Sequence, residues 1–254
     1  MRKRMTFVVL ATATAAGVGA LTAPAAQADG FGDTTISSVT VNSKDVVVGT
    51  TKAKTFTVAV TATDNSGIKD AQIYVDGPSY GYLDATGPAK CVVSATDAHT
   101  STCTASFTVD PRVDFIDNDP AGTWYANVLV DANDDDYMNT EKAASFTVRR
   151  AARLTVNASP EPVRKGRTIT VTGALTRANW ETAAYAGYTV QPVTLEFRKK
   201  NSSTYTAVKT VKSAAAGALK TTVTAVEDGY FRWNFAGTGT TGPVKSTADF
   251  VDVR

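Results

Sequence analysis

The segment Thr55-Phe56-Thr57-Val58-Ala59-Val60-Thr61-Ala62 alternates polar and apolar residues without a break. Strand side chains point to opposite faces in turn, so Phe56, Val58, Val60 and Ala62 share one face. A helix would scatter the same residues around its axis. The two-residue period recurs at Cys103, Ala105, Phe107 and Val109, at Trp124, Ala126, Val128 and Val130, and at Ala144, Phe146 and Val148. Shorter strands are expected at 36–41, 71–75 and 91–95. Strands that are apolar on one side only must cover that side, and two facing sheets do so.

After Arg149-Arg150-Ala151-Ala152 the pattern starts again. Strands are expected near 153–157, 168–172, 190–198, 205–211, 219–226, 230–235 and 248–253. Seven strands on each side, with turn residues every 8–12 positions, predict an all-β chain of two tandem immunoglobulin-like β-sandwich domains. The boundaries are 29–149 and 150–254. Trp124 and Trp233 lie within alternating strands and are read as core.

The beginning of the chain has a different character. Met1-Arg2-Lys3-Arg4 is basic, residues 7–21 are small and apolar, and Ala26-Gln27-Ala28 is an A-x-A cleavage signal. This order predicts a secretory signal peptide over residues 1–28. The apolar run is broken by Thr and Gly and falls short of the ~20 residues of a membrane span. A secreted, extracellular protein with no membrane anchor in its mature form is expected.

Two cysteines in an exported chain suit a disulfide between Cys91 and Cys103. They are placed on adjacent strands with residues 94–100 as the turn.

The precursor has 26 basic and 24 acidic residues, and the leader holds three of the basic ones and none of the acidic. The remainder is close to neutral, which argues against a nucleic-acid partner. The charge is unevenly divided. Residues 29–149 hold 17 acidic and 8 basic side chains, and residues 150–254 hold 7 acidic and 15 basic. The asymmetry fits two solvated surfaces of opposite sign, or attraction between domains or between copies of the chain.

No catalytic pattern emerges, and the chain is read as non-enzymatic. There is a single histidine, His99, and no G-x-S-x-G elbow. Gly237-Thr238-Gly239-Thr240-Thr241-Gly242 has the spacing of a dinucleotide fingerprint. Pro243 and an expected strand follow it instead of a helix, so it reads as a loop.

The acidic run Asp131-Ala132-Asn133-Asp134-Asp135-Asp136 is the most suggestive cluster. Asp131, Asn133 and Asp135 match the start of a calcium loop. The sixth position is Asp136 rather than Gly and the twelfth is Lys142 rather than Glu, so the run is not an EF-hand. It joins the last two strands of the first domain, and Asp64 lies in the loop after that domain's second strand. In an immunoglobulin sandwich these loops share one end. Asp64, Asp131, Asn133 and Asp135 are therefore the candidate calcium ligands, set against a plain solvated acidic turn. The stretch Asp110–Asp119 is a lesser candidate. In the second domain Trp180, Tyr185 and Tyr188 crowd one long connection. They suit either a cell-wall-binding or adhesive surface module whose rings stack on a cell-wall or surface polysaccharide, or packing against protein.

Taken together, Thr61–Asp70, Asp110–Asp114, Leu154–Val163, Ala178–Thr182 and Gly229–Arg232 resemble exported actinobacterial two-domain proteins commonly labelled calcium-binding. That resemblance covers nearly the whole chain after the leader. It implies a calcium-binding immunoglobulin-like protein and carries over no ligand residues.

Overall fold

The computed structural model describes residues 27–254. The predicted leader lies outside the described residues, apart from Gln27 and Ala28, which open the first strand.

The first domain contains β1 (Gln27–Phe31), β2 (Thr35–Val41), β3 (Asp45–Val48), β4 (Lys54–Thr63), β5 (Ile68–Asp76), β6 (Tyr82–Asp84), β7 (Lys90–Val93), β8 (Thr100–Val109), β9 (Gly122–Ala132) and β10 (Tyr137–Arg150). One sheet has the order β1-β10-β9-β5-β6, with β3 pairing in parallel with the far half of β10. The other has the order β2-β4-β8-β7. The apolar faces expected from the alternation meet between them. Phe56, Val58 and Val60 of β4 and Phe107 of β8 pack with Trp124, Val128 and Phe146 of the opposing sheet.

The second domain contains β11 (Ala152–Leu154), β12 (Asn157–Ser159), β13 (Thr168–Asn179), β14 (Ala184–Gly187), β15 (Pro192–Lys199), β16 (Thr206–Lys212), β17 (Ala218–Thr224), β18 (Gly229–Phe235), β19 (Val244–Lys245) and β20 (Asp249–Val251). One sheet gathers β11, β12, β14 and β17 around the long β13, and the other runs β16-β15-β18-β19 with β20 also on β18. Ile169, Val171, Leu195, Leu219, Phe231 and Trp233 fill the space between them. Both domains are thus sandwiches, antiparallel except where β3 meets β10, and the chain is a tandem of immunoglobulin-like folds. The Gly237–Gly242 segment is a loop followed by β19.

Each sandwich seats a tryptophan from the corresponding strand. Trp124 donates from Nε1 to the Pro120 carbonyl at 2.7 Å, and Trp233 donates to the Thr172 carbonyl at 3.0 Å. Burying the indole N–H without an acceptor would be costly, which is why each ring ends on a carbonyl. A Cβ on Gly173 would come within 2.9 Å of the Trp233 ring, so glycine there allows strand and indole to approach.

Cys91 and Cys103 are bonded, and they face each other directly across β7 and β8. The bridge closes a loop spanning 12 residues. In the chain-entropy picture it stabilises the domain by roughly 2–3 kcal/mol. Replacing both cysteines by serine is expected to lower the unfolding free energy by about that amount in a denaturant titration. No loss would mean that closing this loop does not stabilise the domain.

The connection carrying Trp180 differs from its reading as a long loop. Strand β13 continues to Asn179, and a tight turn over Trp180–Ala183 leads into β14, which pairs back on it. Ala183 takes a left-handed φ of 50°, which closes the turn. The hairpin projects Trp180 onto the first domain. Its ring is 3% exposed and stacks on Phe115 with centroids 4.3 Å apart. Its Nε1 donates to the Gly49 carbonyl at 2.9 Å, and its backbone N–H donates to Asn118 Oδ1 at 3.0 Å. Asn118 also donates to Asn179 Oδ1 at 2.9 Å. The acidic stretch Asp110–Asp119, a lesser cation candidate, therefore supplies Phe115 and Asn118 as a docking surface.

Below this contact the backbone of Arg150 bonds to the Gly237–Gly242 loop, through Arg150 N to Thr240 O at 3.0 Å and Gly242 N to Arg150 O at 2.9 Å. Arg150 is buried, and its Nε donates to the Ala178 carbonyl. Burial and the nearby charge of Arg177 lower its pKa to about 10, so it stays protonated at neutral pH.

A candidate cation site at the outer end of the first domain

Strand β10 runs from an acidic turn at Tyr137 to the domain junction at Arg150. The turn before it, the turn after β1 and the turn after β4 therefore meet at the end away from the second domain. Asp33 comes from the first of these in chain order, Asp64 from the second and Asp136 from the third. Each offers a carboxylate oxygen, and the three oxygens lie within 4.8 Å of one another.

Hydrogen bonds fix the arrangement. Asp64 is 1% exposed. Its Oδ2 accepts from Thr34 Oγ1 at 2.7 Å, and its Oδ1 accepts from the Ser66 N–H at 2.7 Å and Ser66 Oγ at 2.6 Å. Burial pushes the Asp64 carboxyl up, but the Ser66 and Thr34 bonds together outweigh it and hold it below the usual carboxylate range. Asp136 Oδ2 accepts from the Asp33 N–H at 2.9 Å, and Asp33 Oδ2 accepts from Asn65 Nδ2 at 2.6 Å. Gly32 has a φ of 81°, and a Cβ there would collide with the Asp136 carboxylate. Glycine is what lets the first turn approach the third.

Among the described residues no Lys or Arg pairs with any of these three carboxylates. Three negative charges are thus gathered without a protein cation. Oxygens this close can share one ion. An all-oxygen set of carboxylates is the donor type that hard divalent cations such as calcium take.

Of the four ligands expected from the sequence, only Asp64 belongs to this group. Asp131 sits in β9 opposite Asp70 of β5. Burial and then the Asp70 charge push its carboxyl up. Asn133 joins two of the loops: its Nδ2 donates to Ser66 O at 2.8 Å and Gly67 O at 3.0 Å. It holds the site's frame. Asp135 takes a left-handed φ of 69°, and its side chain points outward, 94% exposed and 3.9 Å from Lys69 Nζ. The residue after that reversal, Asp136, turns inward in its place.

The aromatic candidates also separate. Trp180 is buried as described, so its ring offers no open face to a sugar. Tyr188 is half-buried, edge-on to Phe235 at 5.8 Å, with Arg177 3.9 Å from its ring centroid. Tyr185 lines an open cleft at the domain junction.

No family profile and no curated protein sequence matches the chain. The calcium-binding label suggested by resemblance therefore gains no support from sequence comparison. Solved structures with similar folds include a chimeric titin Z1Z2, at 14% identity over 91% of this chain and 98% of that one, with a TM-score of 0.26. The D0-D1 domain of intimin matches at 15% identity over 85% and 98%, with a TM-score of 0.28. Three N-terminal domains of the bacteriophage RB49 highly immunogenic outer capsid protein match at 10% identity over 90% and 70%, with a TM-score of 0.33. Similarity this low transfers no function. Among the described residues no helix is long and apolar enough to cross a membrane.

Proposed function

We propose that this chain is a secreted, non-enzymatic protein of two immunoglobulin-like domains that binds calcium at the outer end of the first. The observation that carries this reading is the Asp33, Asp64 and Asp136 cluster, drawn from three separate turns and, among the described residues, without a Lys or Arg partner. An ion there ties the strand β1 turn to the β4–β5 and β9–β10 turns. It relieves the mutual repulsion of three carboxylates in a partly dehydrated setting. The leader pattern and the Cys91–Cys103 bond support an oxidising, extracytoplasmic location.

Sites of this kind in extracellular proteins bind with Kd around 10⁻⁴–10⁻³ M. Calcium at ten to a hundred times Kd then adds about 1.4–2.7 kcal/mol to stability. Calorimetric titration with calcium chloride tests the reading. Binding is expected in the native chain and in Asp131→Asn/Asp135→Asn. It is expected to vanish in Asp33→Asn/Asp136→Asn. The reverse pattern, or no heat in the native chain, would sink it.

A further inference from the structure

We infer that the cleft at the domain junction is a binding site for an acidic saccharide. This goes beyond the calcium reading and does not depend on it, since the cleft lies at the other end of β10.

The cleft has a volume of about 420 Å³, within the ~300–1,000 Å³ usual for small-ligand sites. The first domain contributes Thr50, Thr51, Lys52 and Lys54, and the second contributes Arg153 and Tyr185. No carboxylate lines it. The adjacent Asp45 is taken up by Arg149, at 3.3 Å. Among the described residues neither lysine nor Arg153 makes an ion pair. Three cations thus face one space with nothing to neutralise them.

The sign of this patch is not inherited from its surroundings. The first domain is strongly acidic, yet it presents two lysines here. Cations left together at a junction repel one another, and an anion bound between them removes that cost.

The remaining groups narrow the ligand. The Arg153 guanidinium lies 3.6 Å from the Tyr185 ring centroid, a stacking contact that fixes both side chains. The hydroxyls of Thr50, Thr51 and Tyr185 can donate to or accept from sugar hydroxyls. Cations together with neutral hydroxyls on a rigid wall match a saccharide bearing carboxylate or phosphate groups. A single-stranded nucleic acid would want a run of open ring faces for its bases. Tyr185 is the one aromatic ring lining this cleft, and Arg153 occupies one of its faces. The wall is held in place because Trp180 bonds to the Gly49 carbonyl beside it.

The chain over residues 29–254, kept in a calcium chelator, is titrated with trigalacturonate in a calorimeter. Parallel arms use neutral trigalactose, inorganic phosphate and a short single-stranded DNA. Saturable binding of trigalacturonate, absent with trigalactose, is expected. Lys52→Glu/Lys54→Glu should weaken it by about tenfold or more. Lys209→Glu/Lys212→Glu, on the exposed strand β16, should leave it unchanged. Phosphate binding that competes with trigalacturonate would place the acid group between the cations and support the assignment. Equal binding of the neutral sugar, tighter binding of DNA, or no effect of the cleft substitutions would overturn it. Both lysines are exposed, so an unchanged circular dichroism spectrum will show that the variant is folded.

Discussion

Trp180→Ala is expected to uncouple the two domains. The side chain belongs by sequence to the second domain and by burial to the core of the first. Removing it strips the stacking partner from Phe115 and the indole donor from Gly49. Truncating a buried tryptophan typically costs about 3–5 kcal/mol. Here that loss falls where the second domain completes the core of the first, while Trp124 and Trp233 stay in place. The native chain should unfold in one cooperative transition under differential scanning calorimetry. The variant should show two, with the first domain melting earlier. Small-angle scattering should report a larger radius of gyration, because the β10–β11 connection alone does not fix an angle between domains. One unchanged transition would mean that the Arg150 contacts with the Gly237–Gly242 loop suffice.

The second large effect is expected at Asp64. In Asp64→Ala, the Thr34 hydroxyl, the Ser66 N–H and the Ser66 hydroxyl lose one shared acceptor. Hydrogen bonds to a charged acceptor contribute about 1.5–3 kcal/mol each, and they do not simply add. A net loss of about 3–4 kcal/mol without calcium is therefore expected from urea titration. The pH dependence gives an independent check. The folded pKa of Asp64 lies below its unfolded value, so its stabilisation is fully present above the unfolded pKa. It is lost as pH falls through the folded pKa. The gap between native chain and variant should thus be constant from neutral pH to about 5 and shrink below about 4. A gap that stays constant down to pH 2 would show that the carboxylate's charge is irrelevant to its role.

The sandwich strands were readable because their signal is local. Phe56, Val58, Val60 and Ala62 declare one face within eight residues, and β4 pairs along that whole length with β8. Short strands escaped. Asp45–Val48 carries no alternation, since its pairing with β10 is a long-range event. The β13–β14 hairpin escaped too, because Ala178–Ala184 has no two-residue period.

The carboxylate cluster is half legible for the same reason. Asp64 can be placed because the two loops of an immunoglobulin end meet. Asp33 cannot, since its neighbour Asp136 is 103 residues away and no spacing announces that contact. Asp136 breaks a calcium loop at the sixth position, where a glycine is needed. The three gathered carboxylates come instead from three separate turns. The left-handed Asp135 reverses the chain, so the residue that breaks the linear motif is the one facing inward.

Calcium titration followed residue by residue, in ¹H–¹⁵N NMR spectra of residues 29–254, tests the central claim most directly. Saturable shifts are expected at Gly32, Asp33, Asp64, Asn65 and Asp136, with the amides of Asp70 and the second domain unmoved. Shifts confined to Asp70, Asp131 and Asp135, or no shifts at millimolar calcium, would contradict it.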